Sequence, residues 1–296
     1  MKVAVQKYHD ALPPSDAANG RITHSPAVRD SRLLVGKASM PRSKKTEADK
    51  LANSATLRES SKRREENGWF VDPRVTGLVK SQVEDVLLVN QRRSQFVHTA
   101  IELFSRKGYN ATTVKEIADA AKVSPGLIYQ YVTDKEEILF LALQLIVHTN
   151  KEVIPAAMAP LSDPVHRFIA GFNAYCRVFD ANRQACILTY RETKSLRLDH
   201  RHAIKSMEIE TNELIAASVR ACIEQGFFRK INIEIFVYQT IMAAHTWALK
   251  HWRLSEFVTL DSYIRDVTDN LMNTALTREG WSRYLEYIRL DTMVPG

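Results

Sequence analysis

A short stretch of the sequence combines several residue types with distinct backbone and hydrogen-bonding chemistry. From Ser124 to Gln130 it contains a small polar residue, a proline, a glycine, a tyrosine and an amide. Glycine allows close backbone approach, and a glutamine amide pairs bidentately with adenine in the major groove. Ile128 and Val132 lie four residues apart, so a helix here has an apolar side that docks it. The glycine, tyrosine and amide then face outward.

Two helix-start signals frame this segment. Thr113 stands three residues before Glu116, the spacing of a capping box in which each side chain satisfies the other's backbone N–H. Ser124 precedes Pro125, which combines an N-cap residue with a proline at the first helical position. The sequence therefore predicts a helix-turn-helix over about residues 113–131.

Helical spacing extends from this motif in both directions. The preceding helix has its apolar stripe at Phe96, Val97, Ala100, Ile101 and Phe104 and ends at Lys107-Gly108. The following helix extends to about Lys151, and about five more come after it. One of these runs from about Asp199 to Gln225. We interpret the alternating stretch at 231–237 as helical, because apolar spacings of three and four follow it. The sequence predicts an all-α protein.

We predict three segments along the chain. Residues 1–74 form a basic, mostly disordered extension, since fourteen lysines and arginines stand against eight acidic residues in the first 70 positions. Residues 75–138 form a helix-turn-helix DNA-binding domain with a preceding helix. Residues 139–296 form an α-helical regulatory and dimerisation domain. The extension is either an arm that adds salt-dependent affinity for phosphates or an inert tail.

Other classes of protein find little support in the sequence. Cys176, Cys186 and Cys222 are odd in number and widely spaced, which favours buried thiols in a reducing cytoplasm. The sequence has neither an apolar run of about twenty residues nor a signal-peptide core, so we expect a cytoplasmic protein without a membrane partner. No nucleophile–base or paired-carboxylate spacing suggests an enzyme. We therefore expect no catalytic residues, cofactor or metal.

From Arg93 to Leu139 the sequence resembles the N-terminal domain of the tetracycline-repressor (TetR) family. The matching motifs are FSRKGY at 104–109, TTVKEIA from Thr112, VSPGLIYQY from Val123, and the Lys-Glu pair at 135–136. Two positions depart from the family pattern. Lys122 stands where the family usually has glycine, so a left-handed backbone there costs about 1 kcal/mol. Val132 replaces the usual aromatic residue.

The resemblance implies a DNA-binding transcriptional regulator, in which a homodimer reads an inverted-repeat operator in double-stranded DNA. It implies phosphate contacts from Thr113, Ser124 and Lys135, and backbone or thymine contacts from Tyr129 and Tyr131. The residues implied in DNA binding are Arg92, Arg93, Thr113, Ser124, Pro125, Gly126, Tyr129, Gln130, Tyr131 and Lys135. Of the two arginines, either one could reach the DNA backbone from the first helix.

The resemblance is weaker after Lys151, where the family's regulatory domain diverges. Family architecture implies that helices at about 234–252 and 260–277 form a four-helix bundle with their copies in a dimer. The first of these is apolar on both sides and must be covered twice. Candidate pocket residues, each of which also fits a core position, are Phe172, Tyr175, Tyr190, Arg191, Met242, His245 and Trp247.

The resemblance also implies a small-molecule effector of apolar or acyl type, lipid-like or acyl-CoA. We expect a repressor that releases its operator when this effector binds. An activator or a ligand-independent DNA-organising protein of the same fold is the alternative.

Overall fold

The computed structural model describes residues 78–293, with side chains as far as Arg289. Its helices are α1 (Val86–Lys107), α2 (Val114–Ala120), α3 (Pro125–Ile128), α4 (Lys135–Met158), α5 (Pro164–Ala181), α6 (Arg183–Glu192), α7 (Leu198–Glu224), α8 (Ile233–Leu249), α9 (His251–Leu254), α10 (Leu260–Ala275) and α11 (Arg278–Met293). The described residues contain no strand and one isolated bridge. The predicted all-α class is confirmed. The predicted extension at 1–74 lies outside the described residues.

Helices α1 to α3 pack against one another and contribute to the continuous hydrophobic core. Asp85 caps α1, because its carboxylate accepts hydrogen bonds from the first amides of the helix. The helix ends at Gly108, whose φ of 87° lies in the region that favours glycine. The fully buried side chains that join the three helices include Phe96, Phe104, Ile117 and Ile128. The apolar stripes read from the sequence therefore face each other.

Helix α4 leads from this core into the rest of the protein. Its N-cap is Asp134, whose carboxylate accepts from the Glu137 amide at 2.9 Å. The helix continues through Pro155 to Met158, although the sequence predicted its end near Lys151. A proline removes one intrahelical hydrogen bond, but tertiary packing can hold a helix together across it. The predicted domain boundary between residues 138 and 139 falls inside this continuous helix.

Helix α4 is the one helix in the described range that is long and apolar enough to cross a membrane. However, 72 % of its most apolar stretch is buried inside the protein. It packs against α1, α5, α6 and α7. Its apolar composition is therefore accounted for by its position at the centre of the bundle.

The remaining helices surround α4 and α5. Helix α7 ends near the predicted Gln225 and is followed by Gly226, whose φ of 74° is typical of a glycine that terminates a helix. Because α8 begins at Ile233, the stretch at 231–237 is largely helical, as predicted. The final helix α11 was not predicted. Near its start Gly280 permits a close approach, since a Cβ there would clash with the Phe227 carbonyl oxygen.

The cysteines are part of this core. Cys176, Cys186 and Cys222 are all free and buried. Burial raises the pKa of the Cys186 and Cys222 thiols to about 12 and that of Cys176 further still. A thiol that stays protonated is a poor nucleophile and a poor metal ligand. The three side chains therefore behave as small apolar residues, as the sequence predicted.

Candidate DNA interface and ligand cavity

The starts of α2 and α3 have the predicted caps. The Thr113 hydroxyl accepts from the Glu116 amide at 3.2 Å, and a Glu116 carboxylate oxygen accepts from the Thr113 amide at 2.8 Å. Hydrogen bonds from Lys107 and Thr113 hold the pKa of Glu116 at about 2. The Ser124 hydroxyl accepts from the Leu127 amide at 3.2 Å. Both N-cap residues are exposed, so each presents a helix start to solvent.

The turn between α2 and α3 depends on an unusual lysine. Lys122 has a φ of 57° and is the one residue other than glycine with a positive φ in the described range. The Val123 amide then reaches back to the Ala118 carbonyl at 2.9 Å. The Gln95 side chain ties the turn to α1 by donating to the Ala121 carbonyl at 2.8 Å. The left-handed geometry expected for Lys122 is confirmed.

The outer surface of the segment 124–130, which contains α3, carries four of the ten residues expected to bind DNA. Ser124, Gly126, Tyr129 and Gln130 are exposed, whereas Pro125 is half-buried. A Cβ at Gly126 would meet nothing within 4 Å, so internal packing does not require a glycine there. A bare backbone at an exposed position is what close approach to an external surface needs. Ile128 and Val132 are buried and dock the segment, as predicted.

Arg93 is a correction, because its side chain is buried rather than directed at DNA. It is 2 % exposed, and its guanidinium donates to the Tyr131 carbonyl at 2.9 and 3.0 Å and to the Val79 carbonyl at 2.8 Å. Burial lowers the pKa of Arg93 to about 10. The residue lies three positions before Phe96, on the buried stripe of α1, a spacing that could have revealed its orientation. The neighbouring Arg92 is half-buried and bonds Gln95 at 3.1 Å.

Tyr131 is a second correction. The family resemblance implied that it contacts DNA, but it is 3 % exposed and its ring lies 5.9 Å from that of Phe96. It follows Ile128 by three positions and therefore shares its buried side. Tyr129, at 46 % exposure, is the tyrosine that remains on the surface. Of the two tyrosines expected to touch DNA, one is thus available.

Lys135 is engaged within the protein. Its ammonium donates to the carbonyls of Tyr109 at 3.0 Å and Thr112 at 2.9 Å, and it lies 4.4 Å from the centre of the Tyr109 ring. These contacts tie the start of α4 to the loop before α2. A phosphate contact through Lys135, as expected from the sequence, would compete with both carbonyls.

Helices α4 to α8 surround a cavity of about 260 Å³. Its wall comes from α4 to α8 and from the short 3₁₀ helix at Thr193–Ser195. The lining residues are Leu143, Ile146, Val147, Asn150, Tyr175, Phe179, Cys186, Thr189, Tyr190, Thr193, Ile204, Glu208, Thr211, Asn212 and His245. Tyr190 is half-exposed, so the cavity reaches the surface beside it.

A histidine between two tyrosines forms the polar part of this wall. The Tyr175 hydroxyl lies 2.9 Å from His245 Nε2, and the Tyr190 hydroxyl lies 2.7 Å from His245 Nδ1. Burial lowers the pKa of His245 to about 4, so the imidazole is neutral at neutral pH. Tyr190 also donates to the sulfur of Met242 at 3.3 Å. If His245 Nδ1 donates to Tyr190 and Nε2 accepts from Tyr175, every polar group in this hydrogen-bonded series has a partner.

The pocket residues expected from the sequence divide into two groups. Tyr175, Tyr190 and His245 line the cavity. Phe172, Arg191, Met242 and Trp247 do not: Phe172 and Trp247 are core residues, while Arg191 and Met242 are exposed. Asn150, Glu208 and Asn212 also line the cavity and were not predicted. For Asn150 the signal was present, because a polar residue inside the otherwise apolar α4 marks a position that needs a partner.

A small cluster of charges connects the start of α4 with the residues that follow the 3₁₀ helix. Arg197, which follows the 3₁₀ helix, pairs with Asp134 at 3.1 Å and with Glu136 at 3.1 Å. Its amide donates to Glu136 at 2.8 Å. His200 is fully buried, lies 2.9 Å from the same carboxylate and stacks on Phe140. The start of α4 is therefore held by Arg197 and His200, which come soon after the cavity-lining residue Thr193 in the sequence.

The fold and the exposed surface of α3 together define a DNA-binding regulator of the helix-turn-helix class. The family model described as "Bacterial regulatory proteins, tetR family" matches residues 96–142. The HTH-type transcriptional regulator HbdR of Aromatoleum sp. (strain CIB) is 46 % identical over 202 residues, which cover 68 % of this chain and 88 % of HbdR. The chain belongs to the TetR family of transcriptional regulators.

Two further comparisons agree with this assignment. The HTH-type transcriptional repressor KstR2 of Rhodococcus jostii (strain RHA1) is 28 % identical over 193 residues, or 61 % of this chain and 91 % of that protein. The crystal structure of AibR in complex with isovaleryl coenzyme A and operator DNA matches the fold with a TM-score of 0.54 at 18 % identity. That match covers 61 % of this chain and 98 % of AibR.

Proposed function

We propose that this chain is a homodimeric repressor that releases an inverted-repeat operator when a small apolar or acyl-type effector enters the cavity. The observation that carries the proposal is that one helix, α4, belongs to both functional regions. Its start packs with α1 behind the DNA-reading surface, and its middle supplies Leu143, Ile146, Val147 and Asn150 to the cavity wall. A ligand that moves this wall therefore moves the helix on which the reading domain rests.

The charge cluster at the start of α4 gives this coupling a second connection. Tyr190 and Thr193 line the cavity, and Arg197 follows them by only a few residues. Because Arg197 pairs with Asp134 and Glu136, a shift of α6 is transmitted to the first turn of α4. Two connections between the same regions make the relative position of the domains dependent on the ligand.

The dimer is proposed from the outer surface of α8. Phe236, Thr240, Ala244 and Ala248 are buried in the bundle, whereas Ile235, Tyr238 and Met242 are 58 %, 43 % and 42 % exposed. Exposed apolar side chains on one helix face are typical of a protein–protein interface. The family's regulators bind operator DNA as dimers. Replacing Tyr238 by arginine should lower the molecular mass of the protein in solution from that of a dimer toward that of a monomer. The same change at the exposed Leu285 of α11 should leave the dimer intact.

An acyl-type effector is supported by the apolar part of the cavity and by the complex of AibR with isovaleryl coenzyme A. The test is a mobility-shift titration of the operator with isovaleryl-CoA and longer acyl-CoAs, followed by transcription in vitro. A repressor is expected to block transcription without ligand and to permit it with one. Stimulation of transcription by the ligand-free protein would favour the activator instead, and no ligand response would favour the DNA-organising alternative.

A further inference from the structure

The size of the cavity limits what it can enclose. A dry cavity of ~150 Å³ holds one benzene molecule. A cavity of about 260 Å³ therefore encloses on the order of ten non-hydrogen atoms. This is a small molecule, or one end of a larger molecule whose remainder lies outside, beside the half-exposed Tyr190.

The charges of the wall limit the ligand further. None of the described residues that line the cavity is a lysine or an arginine. Arg191, the cation that the sequence analysis considered for this site, is exposed. The one acidic lining residue is Glu208, whose pKa is raised by burial against the opposing effect of nearby Lys205. His245 is neutral there, because burial holds its pKa at about 4. A carboxylate bound in the cavity would thus be desolvated beside Glu208, with no lysine or arginine in the lining to balance its charge.

The wall also contains polar groups without partners. Asn150 and Asn212 are 2 % and 7 % exposed. Among the described residues, the Asn150 side-chain oxygen and both polar atoms of the Asn212 amide have no hydrogen-bond partner. Buried amides without partners are rare, and a ligand that offers a hydroxyl or carbonyl group can supply one. These amides recognise hydrogen-bonding groups without requiring charge.

We propose that the cavity binds an uncharged group of on the order of ten non-hydrogen atoms that carries a hydroxyl or carbonyl, and that it rejects the corresponding free carboxylate. A carboxylic acid would be recognised only after conversion to a neutral derivative such as an amide or a thioester. The inference rests on the proposed function only in treating this cavity as the effector site.

The test compares isosteric pairs that differ in charge. Octanamide with octanoate, and phenylacetamide with phenylacetate, have equal numbers of non-hydrogen atoms within each pair. Calorimetric titration of the full-length protein without DNA should show the amide of at least one pair binding tenfold or more tightly than its carboxylate, on the order expected for an unpaired buried charge. Equal or tighter binding of the carboxylates, or no binding of any of the four, would overturn the proposal.

Two variants locate the cause of the preference. Glu208→Lys places a cation in the wall and should improve carboxylate binding until the preference disappears or reverses. Arg191→Ala is the matched control and should leave all affinities unchanged. A Glu208→Lys protein that keeps the full amide preference, or an Arg191→Ala protein that loses carboxylate binding, would contradict the assignment.

A separate operator titration distinguishes this inference from the proposed function. If an amide binds more tightly than its carboxylate and the operator stays bound, the charge selectivity holds and ligand-induced release fails. If a carboxylate binds at least as tightly as its amide and releases the operator, release holds and the selectivity fails.

Discussion

Replacing Lys122 tests the geometry of the turn between the two helices of the DNA-binding motif. Lys122 has a φ of 57°, and a left-handed backbone costs a residue with a side chain roughly 1–2 kcal/mol. Glycine adopts it freely but loses about 0.5–1 kcal/mol through its greater freedom in the unfolded chain. Lys122→Gly should therefore raise the free energy of unfolding by roughly 0.5–1 kcal/mol per subunit. In a domain of this size the melting temperature then rises by roughly 1–4 °C.

The matched control is Lys122→Ala, which removes the same charge and keeps a Cβ in the left-handed position. Urea unfolding of full-length protein at one fixed concentration should place the glycine variant above both wild type and the alanine variant. Operator titrations at several salt concentrations measure separately how the loss of the Lys122 charge affects DNA binding. If the Lys122 ammonium lies near a phosphate, both variants should bind more weakly, with a salt slope lower by about 0.9 for each subunit of the dimer.

One outcome would refute this reasoning. A glycine variant less stable than the alanine variant would mean that the turn does not hold residue 122 at positive φ. The connection between α2 and α3 would then differ from the one described, together with the orientation of α3.

Three further predictions follow from the two sites. The pKa of His245 is about 4 in the folded protein and 6.5 in the unfolded chain, so its contribution to the free energy of unfolding is complete above pH 6.5. This contribution falls by on the order of 3 kcal/mol as the pH drops toward 4. His245→Gln should flatten the pH dependence of unfolding in that window, and an unchanged curve would count against a buried neutral imidazole. Gln130→Ala should change the preferred bases at one operator position, costing about 1–3 kcal/mol of discrimination, and uniform weakening in a DNA selection would show that the docking register is wrong. Arg197→Ala should leave the operator affinity of the ligand-free protein within about twofold and raise the effector concentration needed for release by roughly fivefold or more. A release curve that matches wild type would exclude coupling between the cavity and α4 through Arg197.

The DNA-binding motif could be predicted because its signals are local. The capping box at Thr113 and the cap and proline at Ser124 each depend on residues within a few positions of one another. The left-handed turn at Lys122 followed from comparison with the glycine that the family usually has there. Because these signals depend on residues that are close in sequence, tertiary packing does not alter them.

The incorrect predictions at the same site concern side chains whose orientation is determined by tertiary packing. Arg93 and Tyr131 have side chains typical of a DNA-contacting surface, but both lie on the buried sides of their segments. Arg93 donates hydrogen bonds within the core, and the Tyr131 ring packs at an angle against Phe96. Lys135 sits at a helix start, yet three-dimensional proximity gives it the Tyr109 and Thr112 carbonyls as partners. Residue type alone does not reveal such partners.

The cavity could be predicted only in part for a related reason. Tyr175, Tyr190 and His245 were expected there, but they stand on three different helices whose relative rotation the sequence does not specify. The same rotation places Arg191 outside and Asn212 inside. The charge of the wall, on which the ligand class depends, became apparent only from the fold.

Sequencing of random double-stranded DNA selected by the purified full-length protein tests the central claim most directly. A dimer with one recognition segment per subunit should enrich an inverted repeat whose half-sites lie about one helical turn, or a multiple of it, apart. Replacing the exposed Gln130 should alter the enriched half-site symmetrically. Enrichment of an asymmetric motif, or of no motif, by a protein that is folded in solution would contradict the claim that α3 reads an operator as part of a two-fold symmetric dimer.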